Sequence, residues 1–576
     1  MSRLGPSLAA LLLLTGLPAR ALEVRQALWG FDGRAVPGRF NPISLLLANP
    51  SPRPFDGEVV LEESRGLNAR DAENAQPVYL APQAERWVQF QVFVREHTEF
   101  RASWGRGPKD GAEIPSPASA APARVLLTDP ANPFAAAGGL RAFPDDLFPT
   151  CVAGTDALDA VALDYAPRWE ATRREAFLDW LRRGGIVLVL HGAGGAYPRF
   201  DDALGVLNLE ADFAPVGAGA VLRQPVTRRE ASEKLFADRG YPARELKTSK
   251  QPVIYDLERT LFDRLTSLTR PEVNWGLLSL LTIGYLACVG PLHYRWARRQ
   301  DYRLAMAIFL GTVVLFGWLF AVVGRRGYGE SQTVHSLTIA RALGGGRCDA
   351  MQWISAFATR GAIYTLTHEA PANYYAAVPQ SDAVRGRIYN GREGRFLIDI
   401  PLYSARPFVH RAVLQGDDTS VTVEEWKPQH GNLQAIALRP GPGFPRDVVG
   451  VFVRHGDKLF TLEQEDGRWI PKPHGSDSLA EAVSNEVLQP LTYAHVFNRQ
   501  KQPAGDEILR QMLPLLQARA LGGTDAFPQS VPERPAPPDR AQVWVFARAP
   551  EGFRTRGAGF EKENGYVLYL QDVVWP

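Results

Sequence analysis

The reading turns on two runs, WGLLSLLTIGYLACVGPL at 275–292 and LAMAIFLGTVVLFGWLFAVV at 304–323, separated by HYRWARRQDYR at 293–303. Neither run contains a charged residue, and each approaches the ~20 residues a helix needs to cross a bilayer. A buried soluble helix pair is the alternative, and it would call for a polar stripe that neither run has. The connecting segment carries Arg295, Arg298, Arg299 and Arg303. By the bias of basic residues toward the cytoplasm, it is a cytoplasmic loop. Trp275, Tyr294, Trp296 and Tyr302 stand at run ends, where amphipathic rings favour the membrane interface. Arg325 and Arg326 at the far end count against this orientation, but four arginines outweigh two. The expectation is a hairpin of two transmembrane helices, with the rest of the chain on the extracytoplasmic side.

The first residues agree with that orientation. Arg3 precedes a short apolar core, Leu8 to Leu14, and Ala19-Arg-Ala21 supplies small residues for cleavage. This is the pattern of a signal peptide over residues 1–21, and the core is too short to span ~30 Å of hydrocarbon. An uncleaved anchor is the alternative. No cysteine follows the core, so lipoprotein attachment is not indicated.

Totals bound the remainder. A chain of 576 residues exceeds one hydrophobic core, and mean hydropathy is only −0.17, so most of it is globular outside the two runs. The 64 basic and 62 acidic residues nearly cancel, which leaves no global field for nucleic acid and excludes it as an expected partner. Three cysteines, Cys151, Cys288 and Cys348, are too few for a disulfide scaffold or a cysteine-rich zinc site.

Residues 22–105 alternate apolar and polar, as in Trp87-Val-Gln-Phe-Gln-Val-Phe-Val94, with turn signals at Asp32-Gly33, Asn49-Pro50 and Asp56-Gly57. They read as an antiparallel β-sandwich. Residues 106–122, rich in Gly, Pro, Ala and Ser, read as a linker. From 123 to 250 the pattern is α/β. Val125-Leu-Leu127, Ala160-Val-Ala-Leu163 and Ile186-Val-Leu-Val-Leu190 read as buried strands. Between the last two, Phe177, Trp180 and Leu181 share one face of a helix that Gly184-Gly185 ends, the signature of a parallel sheet. Residues 251–274 are expected to form an amphipathic helix at the membrane surface, through Leu257, Leu261, Leu265 and Leu268. Residues 331–576 are expected to be β-rich, with one helical stretch kinked at Pro514 and a proline-rich piece from Phe527 to Pro538. The fold class expected is multidomain α/β plus β around two transmembrane helices.

Chemistry is harder to find. The strand ending at Leu190 opens into His191-Gly192-Ala193-Gly194-Gly195, at a strand end where α/β sheets often bind ligands. No Gly-Lys-Ser/Thr follows, and Tyr197 replaces the third glycine of a dinucleotide fingerprint. Alanine stands where a nucleophile elbow would place its nucleophile. His191, Gly192, Gly194 and Gly195 are therefore binding candidates at most, with a tight structural turn as the competing reading. Thr367-His368-Glu369 reads as a surface pairing, and Asp145-Asp146 and Glu424-Glu425 as solvated carboxylates. No histidine spacing suits a metal, so no metal and no cofactor is expected.

The segment Leu126 to Gly195, with Leu158-Asp-Ala-Val-Ala-Leu163, the Trp180 helix and Gly184-Gly-Ile-Val-Leu-Val189, resembles the class I glutamine amidotransferase-like fold. With the opening Trp29-Gly-Phe-Asp-Gly33…Pro37-Gly-Arg-Phe-Asn-Pro42 and Gly290-Pro-Leu-His-Tyr294, the whole resembles uncharacterised bacterial envelope proteins in which such a domain precedes a two-helix hairpin. The resemblance implies fold and not activity. Cys151 precedes a strand rather than following one at an elbow, and no His-x-Glu follows it in the domain. The expected function is a non-catalytic, membrane-anchored scaffold or binding component of an inner-membrane assembly, partnered by other envelope proteins. A hydrolase or transferase built on the α/β domain is the alternative. Transport by the hairpin alone has no support, because charge-free helices offer no ion path.

Overall fold

The computed structural model describes residues 22–65, 69–70, 72–95, 99–105, 107, 110–130, 139–245, 257–268, 275–324, 331–378, 383–429, 432–456, 458–482, 505–521, 540–557 and 559–574. The signal-peptide segment 1–21 and the proline-rich piece at 527–538 lie outside them.

The N-terminal strands Glu23–Trp29, Arg39–Ala48 and Glu85–Val94 form one antiparallel layer. Ile43, Leu45 and Leu47, two apart and so on one face, pack on Val59, Leu61, Val78 and Phe100 of a second layer. That second layer does not stop at the N-terminal region. Glu73–Leu80 pairs in parallel with Gly386–Tyr389, setting Glu73 opposite Arg387 and Asn74 opposite Ile388. The sheet then continues through Arg395–Ile400 to Ala362–Leu366. Residues from both sides of the hairpin thus build one eight-stranded sheet. The sandwich read within 22–105 is completed by strands from the far end of the chain, and no local pattern encodes that. The stretch read as a linker also carries strands, Gly111–Ile114 and Ala118–Ser119, the second paired with Arg34–Ala35.

The α/β layer has six strands. Arg141–Pro144, Ala123–Thr128, Leu158–Leu163, Ile186–Val189 and Gly219–Arg223 run parallel, and Phe213–Val216 closes the edge antiparallel. Its central strands are buried on both faces, which is why they read as unbroken apolar runs. The helix Ala171–Arg183 covers one face through Phe177, Trp180 and Leu181. Gly184 ends it with φ of 129°. Gly185 is glycine for space, since a Cβ there would lie 2.4 Å from the Trp180 ring.

After the hairpin, twelve strands form a long sheet. Its centre is Arg347–Ala358, Thr333–Gly344, Lys562–Val574 and Arg540–Arg548, with Thr333–Gly344 parallel to Lys562–Val574. The helix expected to kink at Pro514 is two helices, Gly505–Gln511 and Leu513–Ala520, with the proline near the start of the second, where its missing N–H costs nothing.

Two helices are long and apolar enough to cross a membrane, Gly276–Ala297 and Tyr302–Val323, and their apolar windows are unburied by the rest of the protein. Twenty-two residues at 1.5 Å each reach about 33 Å. They touch each other, Tyr285 lying 5.4 Å from Phe316 between ring centroids and His293 5.5 Å from Phe309. A π turn at Cys288–Leu292 carries Pro291 without ending the first helix. The helix therefore runs on through His293–Ala297, and the loop expected at 293–303 narrows to 298–301. The amphipathic segment also departs from expectation. The helix Leu257–Ser267 buries Leu257, Leu261, Phe262 and Leu265 in the protein core, with Leu509, Leu515 and Leu516, not in lipid.

Gly185→Ala should destabilise the protein by ~1–3 kcal/mol, since Trp180 has no room to yield. Gly194→Ala, whose Cβ meets nothing within 4 Å, should leave the urea midpoint unchanged and serve as the control.

Candidate functional site

Between the α/β layer and the long sheet lies a buried cluster of opposite charges. Asp156 comes from the turn before the Leu158–Leu163 strand. Arg183 comes from the end of the Trp180 helix, where a cation meets the negative pole of the helix. Asp349 and Arg411 come from adjacent strands of the long sheet. Arg183 Nη1 reaches Asp156 at 2.7 Å and Asp349 at 3.0 Å. Arg411 donates to Asp156 at 2.6 Å and grips Asp349 with Nε at 3.0 Å and Nη2 at 2.6 Å. Burial would push the Asp349 carboxyl up, but Arg411 and Arg183 hold it below the usual carboxylate range. The same two carboxylates raise the Arg411 guanidinium above its ordinary value against the effect of burial. A second link follows the first, Arg347 to Asp179 at 2.6 Å and to Glu175 at 2.9 Å.

This cluster walls one side of a cavity of about 140 Å³. Arg39, Arg244, Arg341, Arg454 and Arg519 also line it, as do Asp572, Trp180 and Trp353. Seven arginines and three aspartates line it, and Arg244 is paired behind the wall with Asp159 at 2.7 Å. Burial raises the Asp572 carboxyl, and Arg341, Arg540 and Arg454 pull it back. Trp353 is fixed by its indole N–H donating to Glu258 at 3.1 Å, and Trp180 by its own donating to the Leu158 carbonyl at 3.2 Å.

The candidates read from sequence lie elsewhere. Asp156, Gly184, Gly185 and Ala218 place the cavity at the amino ends of the parallel strands. The His191–Gly195 loop leaves the opposite, carboxyl end. Its N–H groups are largely used within the fold, His191 to Val226 O, Gly192 to Ala196 O and Gly195 to Gly192 O. The His191 ring packs 4.5 Å from Tyr197, which Arg223 covers at 4.8 Å. Arg295, Arg298, Arg299 and Arg303 sit at the closed end of the hairpin, with Arg298 on the Tyr294 ring at 4.4 Å.

Two side chains, Asp145 and His368, depart from the surface roles expected of them. Asp145 is buried, accepts from Tyr165 at 2.8 Å, and has its carboxyl raised by burial. Glu424 stays at the surface, where it binds Arg439 at 2.6 Å and Arg468 at 2.9 Å. His368 is buried and stacks on His410 with ring centroids 3.7 Å apart, while only its neighbour Glu369 reaches the surface, paired with Arg556. His368 Nδ1 meets Tyr375 Oη at 2.9 Å and Nε2 meets Thr555 Oγ1 at 3.3 Å. Burial drives the His368 pKa down to about 3. Thr555 in turn donates to Glu563, whose carboxyl burial lifts to about 7 despite those hydrogen bonds.

Cys151 is a free cysteine at the start of the turn Val152–Thr155. Burial pushes its thiol up to about 11, against smaller lowering effects from Ala153 and Tyr374. Among the described residues no group of three or more His, Cys, Asp or Glu could hold a metal. The cavity arginines were missed because they are spread from position 39 to 519 with no local spacing. One signal was available: Asp349 is the lone carboxylate of the strand Arg347–Ala358, and such groups are almost never buried unpaired.

No family model and no curated protein matches the sequence. Among solved structures, a cycloisomaltooligosaccharide glucanotransferase from Paenibacillus sp. aligns at 10% identity over 79% of this chain and 98% of its own, with a TM-score of 0.17. A glycoside hydrolase family 2 β-glucuronidase aligns at 9% identity over 97% and 62%, with a TM-score of 0.14. A β-glucosidase from Streptomyces venezuelae aligns at 10% identity over 74% and 47%, with a TM-score of 0.10. Likenesses at this level bring neither fold nor activity to this chain.

Asp349→Asn should cost ~3–5 kcal/mol, because two buried guanidinium groups lose a shared carboxylate. Since Asp349 is depressed in the folded state, its contribution is present above its ordinary value of 3.8 and disappears on acidification below it. Glu563 works in the opposite sense. Its stabilisation is complete below 4.5 and is lost as pH rises through about 7. Glu563→Gln should therefore flatten the stability profile between those values by roughly 2–3 kcal/mol in thermal melts across pH. A maleimide probe at pH 7 should leave Cys151 unlabelled in the folded protein, because only roughly one thiol in ten thousand is ionised there.

Proposed function

We propose that this chain is a non-catalytic, membrane-anchored scaffold or binding component of a bacterial envelope assembly. Its body stands on the extracytoplasmic side of the inner membrane, and its partners are other envelope proteins. The observation that carries this reading is the pairing of Glu73–Leu80 with Gly386–Tyr389. Strands before and after the hairpin share a sheet, so both flanks must lie on one side of any bilayer the hairpin enters. Two crossings satisfy that condition and one does not. The four arginines at the closed end then favour the cytoplasm for the tip, and the body follows to the other side. The N-terminal segment, read as a signal peptide, supports the same orientation.

The non-catalytic part of this reading is supported by the groups themselves. Among the described residues, Cys151 is held protonated, His368 is buried among hydrogen-bond partners, and the glycine loop carries no nucleophile. The parallel sheet with its Trp180 helix supports the likeness to the amidotransferase-like fold as architecture, not as activity. What remains is a large surface with an arginine-lined cavity inside it, suited to recognition.

Export-dependent reporters fused after Gly105 or after Gly329 should be active, and the same reporter fused at Arg299 inactive. Cytoplasmic behaviour at Gly329 would sink the two-crossing arrangement. Mild crosslinking in membranes followed by purification should retain at least one envelope protein, and a chain recovered alone would end the scaffold reading.

A further inference from the structure

Outside the two apolar helices, the most exposed large hydrophobic side chains among the described residues are Ile363, at 71%, and Leu402, at 63%. A single exposed leucine or isoleucine is ordinary, but these two are neighbours. Ile363 lies in the strand Ala362–Leu366, and Leu402 follows the end of its partner strand Arg395–Ile400. A Cβ on Gly361 would come 3.1 Å from the Leu402 nitrogen and 3.7 Å from its Cβ, so the two turns touch. Both turns are crossovers. Residues 359–361 carry the chain from the long sheet into the eight-stranded sheet, and residues 401–403 carry it back. The second turn is fixed, since Ser404 donates its N–H at 3.2 Å and its hydroxyl at 2.8 Å to the Pro401 carbonyl. Tyr403 takes a φ of 49° there, a region few non-glycine residues enter.

The place of this tip in the fold decides what meets it. Ala358 pairs with Ser404, and Phe357 with Thr333, which pairs in turn with Lys562. The crossovers therefore leave the long sheet at the end where Thr333–Gly344 begins, the first strand after the second apolar helix ends at Gly324. The seven steps from Gly324 to Ser331 reach at most about 25 Å. Gly344, at the other end of that strand, lies about 35 Å further on. The end bearing Ile363 and Leu402 is thus the one tethered close to the apolar helices. Arg360, Arg385 and Lys562 are exposed at this same end, beside the exposed carboxylate of Glu561. Asp399 stands opposite Ile363 across the strand pair, which keeps any apolar contact made here shallow.

We propose that this tip dips into the lipid surface, with Ile363 and Leu402 at the boundary of headgroups and acyl chains and Arg360, Arg385 and Lys562 among the lipid phosphates. The inference rests on the reading of the hairpin as membrane-spanning and adds a second, peripheral contact between the body and the same bilayer. Apolar side chains gain where acyl chains replace water around them, and cations beside them meet anionic headgroups. Two such side chains bind a membrane weakly by themselves. Here the hairpin holds them at high effective concentration, which is what a weak contact needs to persist. The body is then set in height and tilt instead of swinging on its two tethers.

The test uses the full-length chain in vesicles of phosphatidylcholine and phosphatidylglycerol, some of whose acyl chains carry a nitroxide quencher. A fluorescent label is placed on one introduced cysteine, with Cys151→Ser and Cys288→Ser removing the other accessible thiols and Cys348 buried. Labels at L402C and I363C should be quenched several-fold more than one at Y79C. Tyr79 is 57% exposed but lies near the far end of the strand whose first residue, Glu73, pairs with Arg387. Adding I363E should cut the quenching at L402C several-fold, which separates the affinity of the tip from that of the label. A label at L315C, in the second apolar helix, reads the hairpin independently. Strong quenching at L315C, with L402C and I363C no more quenched than Y79C, overturns the proposal, leaves the hairpin in the membrane and gives the two side chains to a protein partner. Absence of quenching at every site overturns the hairpin reading and the proposal together. Quenching at L402C that I363E leaves unchanged also overturns the proposal, because the label alone then accounts for it.

Discussion

Two carboxylates and two guanidinium groups, Asp156, Asp349, Arg183 and Arg411, meet where the two halves of this protein join. None of the four could be buried alone, because an unpaired charge in that environment costs several kcal/mol. Each is tolerated because the others are present, and two come from before the membrane hairpin and two from after it. The α/β layer and the long sheet are therefore registered against each other by charge rather than by apolar packing alone. A hydrophobic seam could slide by a residue. A bidentate grip between Arg411 and Asp349, with Arg183 on the same carboxylate, has one geometry.

Local pattern revealed much of the architecture. Val125-Leu-Leu127, Ala160–Leu163 and Ile186–Leu190 are apolar without interruption because both faces of a parallel sheet are covered. Phe177, Trp180 and Leu181 show a helical period because one face of their helix is. The two long apolar helices were legible because neither run carries a charged residue. The eight-stranded sheet was not, since nothing in Glu73–Leu80 names Gly386–Tyr389 as its neighbour. Leu257, Leu261 and Leu265 make an amphipathic face, and such a face does not say whether lipid or protein covers it. Here Leu509, Leu515 and Leu516 do.

The candidate site was less accessible still. Sequence reasoning favoured the carboxyl ends of the strands, where a glycine loop stands out by composition. The charged cavity sits at the amino ends and is assembled from single residues on many elements. Arginines recur throughout the sequence, and only the fold distinguishes those that converge from those that face water. Tyr165, Asp145 and the His368–His410 stack make the same point for polar groups, since adjacency in sequence did not foretell burial.

The pairing of Glu73 with Arg387 spans 314 positions of chain, and it carries a consequence for biosynthesis. The Glu73–Leu80 strand is made long before its neighbour exists, and in that interval its open edge is a template for any other extended chain. The sheet cannot close until the residues that follow the two apolar helices have been made and have folded. A chain truncated after the hairpin would thus hold an unfinished sheet, and would be a substrate for chaperones and proteases rather than a smaller functional protein.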